Sequence, residues 1–170
     1  MSLHANCRPR LGVVECIALS LLASLSACTP AAFGVNEDAV SQARAAGVPI
    51  VVDSVEIFRG RSNDTSLRLE LTSVDSQTVV SVVMRSALIG VGGRPLTNQS
   101  SGASVLELHL GTGFDSRHAG VWGPFFVGPT ARCLEVHSIE VSLETGRRII
   151  LDSENGLDVA LAHAKGPVCR

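Results

Sequence analysis

Two short stretches of this chain alternate strictly. "LRLELT" (67–72) sets Leu67, Leu69 and Leu71 against Arg68 and Glu70, and "ASVLELHL" (103–110) sets Leu106, Leu108 and Leu110 against Glu107 and His109. Successive side chains of a strand point to opposite faces, so a period of two specifies a strand with one buried and one wet face. A chain carrying two such stretches needs a sheet, and that sheet needs a cover on its leucine side.

Other segments supply partners. "VPIVVDSVEIF" (48–58) is rich in Val and Ile and reads as a strand. "CLEVHSIEVSLE" (133–144) is a long strand candidate, and "TG" turns it into "RRIILD" (147–152) as a hairpin. "LDVALAHA" (157–164) fits both periods; the "SENG" turn before it favours a strand. "NEDAVSQARAAG" (36–47) reads as a small helix that opens on acidic residues, fills with Ala and ends at Gly47.

The cover is expected from "DSQTVVSVVMRSALIG". Its apolar residues Val79, Val80, Val83, Met84, Ala87, Leu88 and Val91 follow helical spacing, with Asp75 as N-cap and Gly90, Gly92 and Gly93 as the stop. The expected class is therefore α+β, a mixed or antiparallel sheet with one or two helices on one face. An all-β sandwich is the alternative, because the same valines suit strands.

The first residues carry a different message. Arg8 and Arg10 form a basic start, Glu15 follows, and Ile17–Ala27 is a run of 11 uncharged, mostly apolar or small residues. That is the length of a signal-peptide core and short of the roughly 20 residues that span a bilayer. An ordinary signal peptidase cutting before Cys28 would meet Leu25 at −3, a poor fit; a cut after Ser26 would place Ser24 there. Leu25-Ser26-Ala27-Cys28 resembles the lipobox of bacterial lipoproteins, in which a dedicated peptidase cuts before a cysteine whose thiol carries a diacylglycerol. A thiolate is nucleophilic enough to be alkylated by a lipid donor. Several acyl chains on one residue anchor stably, at about 0.8 kcal/mol per buried CH₂. The resemblance implies a leader at 1–27, lipidation of Cys28 with a tether at 28–36, and one globular domain at 37–170. With Thr29 rather than Asp after the cysteine, it also implies the periplasmic face of the outer membrane, reached through the N-terminal lipid.

Without that leader 143 of the 170 residues remain, enough for one domain with a core of its own. Loss of Arg8, Arg10 and Glu15 takes the 14 basic and 16 acidic residues to 12 and 15, a net charge of −3. Lys165 is the only lysine, and no basic stripe exists, so nucleic acid is not an expected partner. Cys133 and Cys169 are left over once Cys7, Cys16 and Cys28 are assigned to leader and anchor. In an oxidising compartment two such cysteines read as one disulfide, which would stabilise a loop of this size by ~3 kcal/mol or more. A redox or metal pair is the rival reading.

A second resemblance spans about residues 50–150. Strand, polar turn, helix ending in Gly, then "SGASVLELHL" and later "VSLETGRRII", is similar to small envelope lipoproteins of the kind that includes the curli-export pore subunit. Ala103-Ser104 stands where that pattern has Ala-Asp. The resemblance implies a role in envelope assembly or export and brings no catalytic residues with it.

Candidate chemistry is sparse. Gly90-Val91-Gly92-Gly93-Arg94 closes an expected helix and leads into Pro95, whereas a phosphate-cradling loop opens one. His109, Cys133 and His137 include metal-ligand types, but a disulfide would consume Cys133, so no metal and no cofactor are expected. "FDSRHAG" (114–120) crowds Asp115, Ser116, Arg117 and His118, whose side chains point apart in an extended segment.

"GTGFDSRHAGVWGPFFVGPTAR" (111–132) is the most unusual stretch. It holds five glycines, two prolines, the only Trp and three of the five Phe. Long glycine-rich loops are often functional, and aromatics in them serve as interface anchors. Phe114, Trp122, Phe125 and Phe126 are therefore the candidate partner-binding residues; the competing reading has Trp122 and Phe125 plugging the core. The leading expectation is a lipid-anchored binding or assembly component of an envelope complex, with no chemistry of its own, that docks on another envelope protein or on itself. The alternatives are a periplasmic small-ligand binder or enzyme using His109, His118 and His137, and an inhibitor or immunity-type lipoprotein.

Overall fold

The computed structural model describes residues 36–60, 64–74, 79–111, 117–127 and 130–169. The expected leader, Cys28, Asp75 and Phe114 lie outside them. The described chain runs α1 (Glu37–Ala45), β1 (Ile50–Arg59), β2 (Thr65–Ser73), β3 (Val79–Gly90), β4 (Leu106–Leu110), β5 (Arg117–Phe125), β6 (Ala131–Leu143), β7 (Arg148–Leu151) and α2 (Leu157–Leu161).

All strand pairs between these elements are antiparallel. They form a three-stranded sheet in the order β1-β2-β5 and a four-stranded sheet in the order β4-β3-β6-β7. Leu67, Leu69 and Leu71 from the first sheet and Val82, Met84, Leu108, Leu134, Ile139 and Val141 from the second bury into one shared cluster. The protein is thus mostly antiparallel β with two short helices. It fits the all-β alternative at least as well as the α+β class.

The expected helix over 78–91 is strand β3. It pairs with β4 on one side and β6 on the other, an interior position of its sheet. Residues Ser86–Gly90 are buried on both faces, which erases the alternation a half-exposed strand would show. What remains is an apolar run whose spacing also fits a helix. The β-branched Val79, Val80, Val82, Val83 and Ile89 favour the strand once neighbours pair with it.

The reverse correction applies to 157–164, expected as a strand. Gly156 takes φ 75° and opens helix α2, which buries Leu157 and Ala160, three residues apart. Helix α1 forms where expected: the Asn36 side chain accepts from the Ala39 N–H at 3.2 Å, and Gly47 follows at φ 69°. Both helices pack against β1.

Ser86 interrupts the otherwise apolar inner row of β3. It is fully buried, beside a shift in the β3–β6 register, and its hydroxyl has no hydrogen-bond partner. Leaving a buried polar group unsatisfied costs about 1–3 kcal/mol. Ser86→Ala is expected to raise stability by about 1 kcal/mol and the melting temperature by a few degrees. A lower melting temperature in calorimetry would show that the hydroxyl is satisfied in solution.

Candidate functional site around strand β5

The segment expected to be a long loop contains β5, one of the two edge strands of the three-stranded sheet. Leu67 pairs with Trp122, Leu69 with Gly120 and Leu71 with His118. Directly paired residues share a face, so Trp122, Gly120 and His118 lie on the core side. Arg117, Ala119 and Val121 face outward.

Trp122 packs against the core cluster and covers its own strand. A Cβ built on Gly120 would lie 2.2 Å from the indole ring. The missing side chain at Gly120 is what admits the ring beside Leu69. The indole N–H donates to the His109 carbonyl of β4 at 3.2 Å. Trp122 thereby joins the facing edges of the two sheets. Phe125 is also half-buried against the core, across from Thr65. Of the aromatic residues singled out from the sequence, Trp122 and Phe125 are thus part of the packing, whereas Phe126 is 41% exposed.

Sequence reasoning missed two further exposed apolar residues on this sheet. Val121 is 65% exposed and pairs with Arg68; Phe58 is 44% exposed and pairs with Ser66. The register sets Phe58 and Val121 on the outer face near the Thr65–Arg68 end of the sheet, and Phe126 directly follows Phe125, the partner of Thr65. The signal for Val121 was present: in "RHAGVWGPF" it alternates with Trp122, but Gly120 hid the period by leaving a core position without an apolar side chain.

From Arg68 onward the same outer face carries paired charges. A bulge between Val52 and Ser54 turns Asp53 toward β2, where the Thr72 hydroxyl donates to its carboxylate at 2.6 Å. Arg117 of β5 lies 4.0 Å from Asp53 and donates to Glu70 at 2.7 Å, and Arg68 donates to Glu70 at 3.1 Å. Single surface pairs contribute little, but this network crosses three strands and holds β5 in register. At the far corner the Arg59 guanidinium donates to the Thr130 hydroxyl, fixing the chain just beyond Phe126.

The histidines are spread over the fold. His109 on β4 lies 3.7 Å from Glu107, and His137 on β6 lies 4.0 Å from Glu135. His118 is half-buried on β5. A register shift between Val136 and Ser138 falls just after His137, which stays exposed beside Glu135. Cys133 is bonded to Cys169, with 5.3 Å between their Cα atoms. Among the described residues no group of three or more His, Cys, Asp or Glu is gathered to hold a metal ion. Comparison with protein-family models, with curated proteins and with solved structures finds no match for this chain.

Proposed function

We propose that this chain is a lipid-anchored envelope protein, held at the periplasmic face of the outer membrane through Cys28, that docks onto another envelope protein with the β5 end of its three-stranded sheet. The observation that supports docking is that Phe58 and Val121 share the outer face of that sheet, opposite Ser66 and Arg68, with Phe126 exposed directly after β5. Exposed apolar residues scattered singly are ordinary on a protein surface, but grouped ones mark interaction sites. Trp122 and Phe125 serve this surface from beneath, by fixing β5 on the core. The Asp53–Arg117–Glu70 network beside it supplies a polar rim. Anchoring rests on Leu25-Ser26-Ala27-Cys28 and its resemblance to a lipobox.

The test starts from native membranes. The protein is extracted in mild detergent, and its native mass and co-eluting proteins are measured. A defined complex is expected, together with an N-terminal peptide that begins at Cys28 and carries diacylglycerol. Val121→Ser combined with Phe126→Ser is expected to lower recovery of the partner at least tenfold while the melting temperature stays within about 2 °C, because surface substitutions move stability by about 0.5 kcal/mol or less. A lone monomer from wild-type membranes, or a double variant that keeps its partner, would overturn the docking surface.

A further inference from the structure

The segment 164–169 closes the side of the fold opposite Trp122. The Lys165 N–H donates to the Asp53 carbonyl at 2.9 Å, and the Val55 N–H donates to the Lys165 carbonyl at 2.8 Å, so the segment adds to the free edge of β1. Three residues later it adds to the other sheet. The Leu134 N–H donates to the Pro167 carbonyl at 2.8 Å, and the Cys169 N–H to the Leu134 carbonyl at 2.9 Å. That place on β6 is open because β7 is short and pairs only with Ile139–Ser142. One strap therefore covers strand edges in both sheets.

Backbone hydrogen bonds and the disulfide hold the strap, with little side-chain burial of its own. The last fully buried side chain before it is Ala160 of α2; Ala164 and Val168 are only half-buried. Gly166 lies so close to β1 that a Cβ there would sit 1.9 Å from the Val55 carbonyl oxygen, so the strap fits by backbone contact rather than by side-chain burial. The bond itself is reachable. Cys133 and Cys169 line a surface pocket of ≈ 570 Å³, together with Gly90, Gly93, Arg132 and Pro167. Two of those rim residues have no side chain to block an incoming thiol.

We infer that Cys133–Cys169 is a latch: closed, it keeps 164–169 on its own sheets; opened by a dithiol reductant, it lets the segment trade places with the same segment of a second copy. The dithiol's thiolate attacks one cystine sulfur, and the S–S electron pair leaves on the other sulfur, which takes a proton. The dithiol's second sulfur then closes on its first and expels the remaining cysteine, which is also protonated. The cystine gains two electrons and two protons, and the dithiol becomes a disulfide. The freed β6 edge presents unpaired backbone groups, a template for another strand. A second copy's segment is the occupant because that edge already matches it in length and hydrogen bonding, which is the condition for domain swapping.

The full chain in mild detergent provides the test. The variants C133S and C169S, each unable to close its own bond, are mixed in equal amounts and oxidised. Exchange is expected to give a covalent dimer whose peptides join Cys133 of one copy to Cys169 of the other, at least tenfold above any dimer of either variant alone. Folded variants that stay monomeric, or dimers joined only through other cysteines, overturn the proposal. The wild-type chain guards against variants that do not fold. On reduction with dithiothreitol, the Leu134 and Cys169 amides are expected to exchange hydrogen at least tenfold faster, and reoxidation at high concentration is expected to trap the same Cys133–Cys169 cross-link between copies. Unchanged exchange, or recovery of monomers alone, overturns it equally.

Discussion

Leu69→Ala is expected to lower the free energy of unfolding by about 3 kcal/mol, within the range for truncating a buried leucine. Leu69 is fully buried at the middle of β2, the central strand of its sheet, with Leu67 and Leu71 equally buried on either side. Its partner on β1 is Val55, also buried, and its partner on β5 is Gly120. Neither can fill the space that Ala would leave, since one is already packed and the other has no side chain. Urea unfolding should show a lower midpoint at unchanged slope, and the melting temperature should fall by roughly 10 °C. A loss below about 1 kcal/mol would mean that neighbouring side chains collapse into the gap.

Trp122→Ala is expected to cost nearly as much, about 3 kcal/mol, although the ring is only half-buried. The substitution empties the space above Gly120 and removes the N–H···O=C bond to His109 that joins β5 to β4. Trp122→Phe separates the two effects. It keeps most of the ring and loses the hydrogen bond, so it should cost only about 1 kcal/mol. Because the indole lies on the same face as Leu69 and beside it, the double variant Leu69→Ala, Trp122→Ala should depart from additivity by more than about 0.5 kcal/mol in denaturant titrations. Additive losses would show that the ring does not share that cavity. Loss of Trp122 should also loosen β5 and weaken docking. That effect differs from Val121→Ser with Phe126→Ser, which should leave stability intact.

The contrast between these variants follows from how the candidate surface came to light. Unusual composition singles out 111–132, but aromatic content does not say which ring faces water. Pairing does. Trp122 faces inward because it pairs with Leu67, and Val121 faces outward because it pairs with Arg68. Phe58 lies over sixty residues from Val121 in sequence, and only the β1-β2-β5 order brings them to one face. Phe114 lies outside the described residues and adds nothing to this picture.

Local pattern by itself determined the strands whose two faces differ. Leucine alternation marked β2 and β4, the "TG" turn marked the β6–β7 hairpin, and Asn36 with Gly47 bracketed α1. In each case one face meets water, so chemistry alternates along the chain and can be read there. Counting cysteines likewise paired Cys133 with Cys169. Tertiary structure alone decided β3, β5 and α2. Strand β3 is enclosed along much of its length and keeps no polar face to show its period. In β5 the core position at Gly120 is filled by a ring from two residues away. In α2 a five-residue segment fits either period, and packing against β1 selects the helix. Where burial is one-sided the residue order carries the answer; where it is two-sided or borrowed from a neighbour, only the assembled fold does.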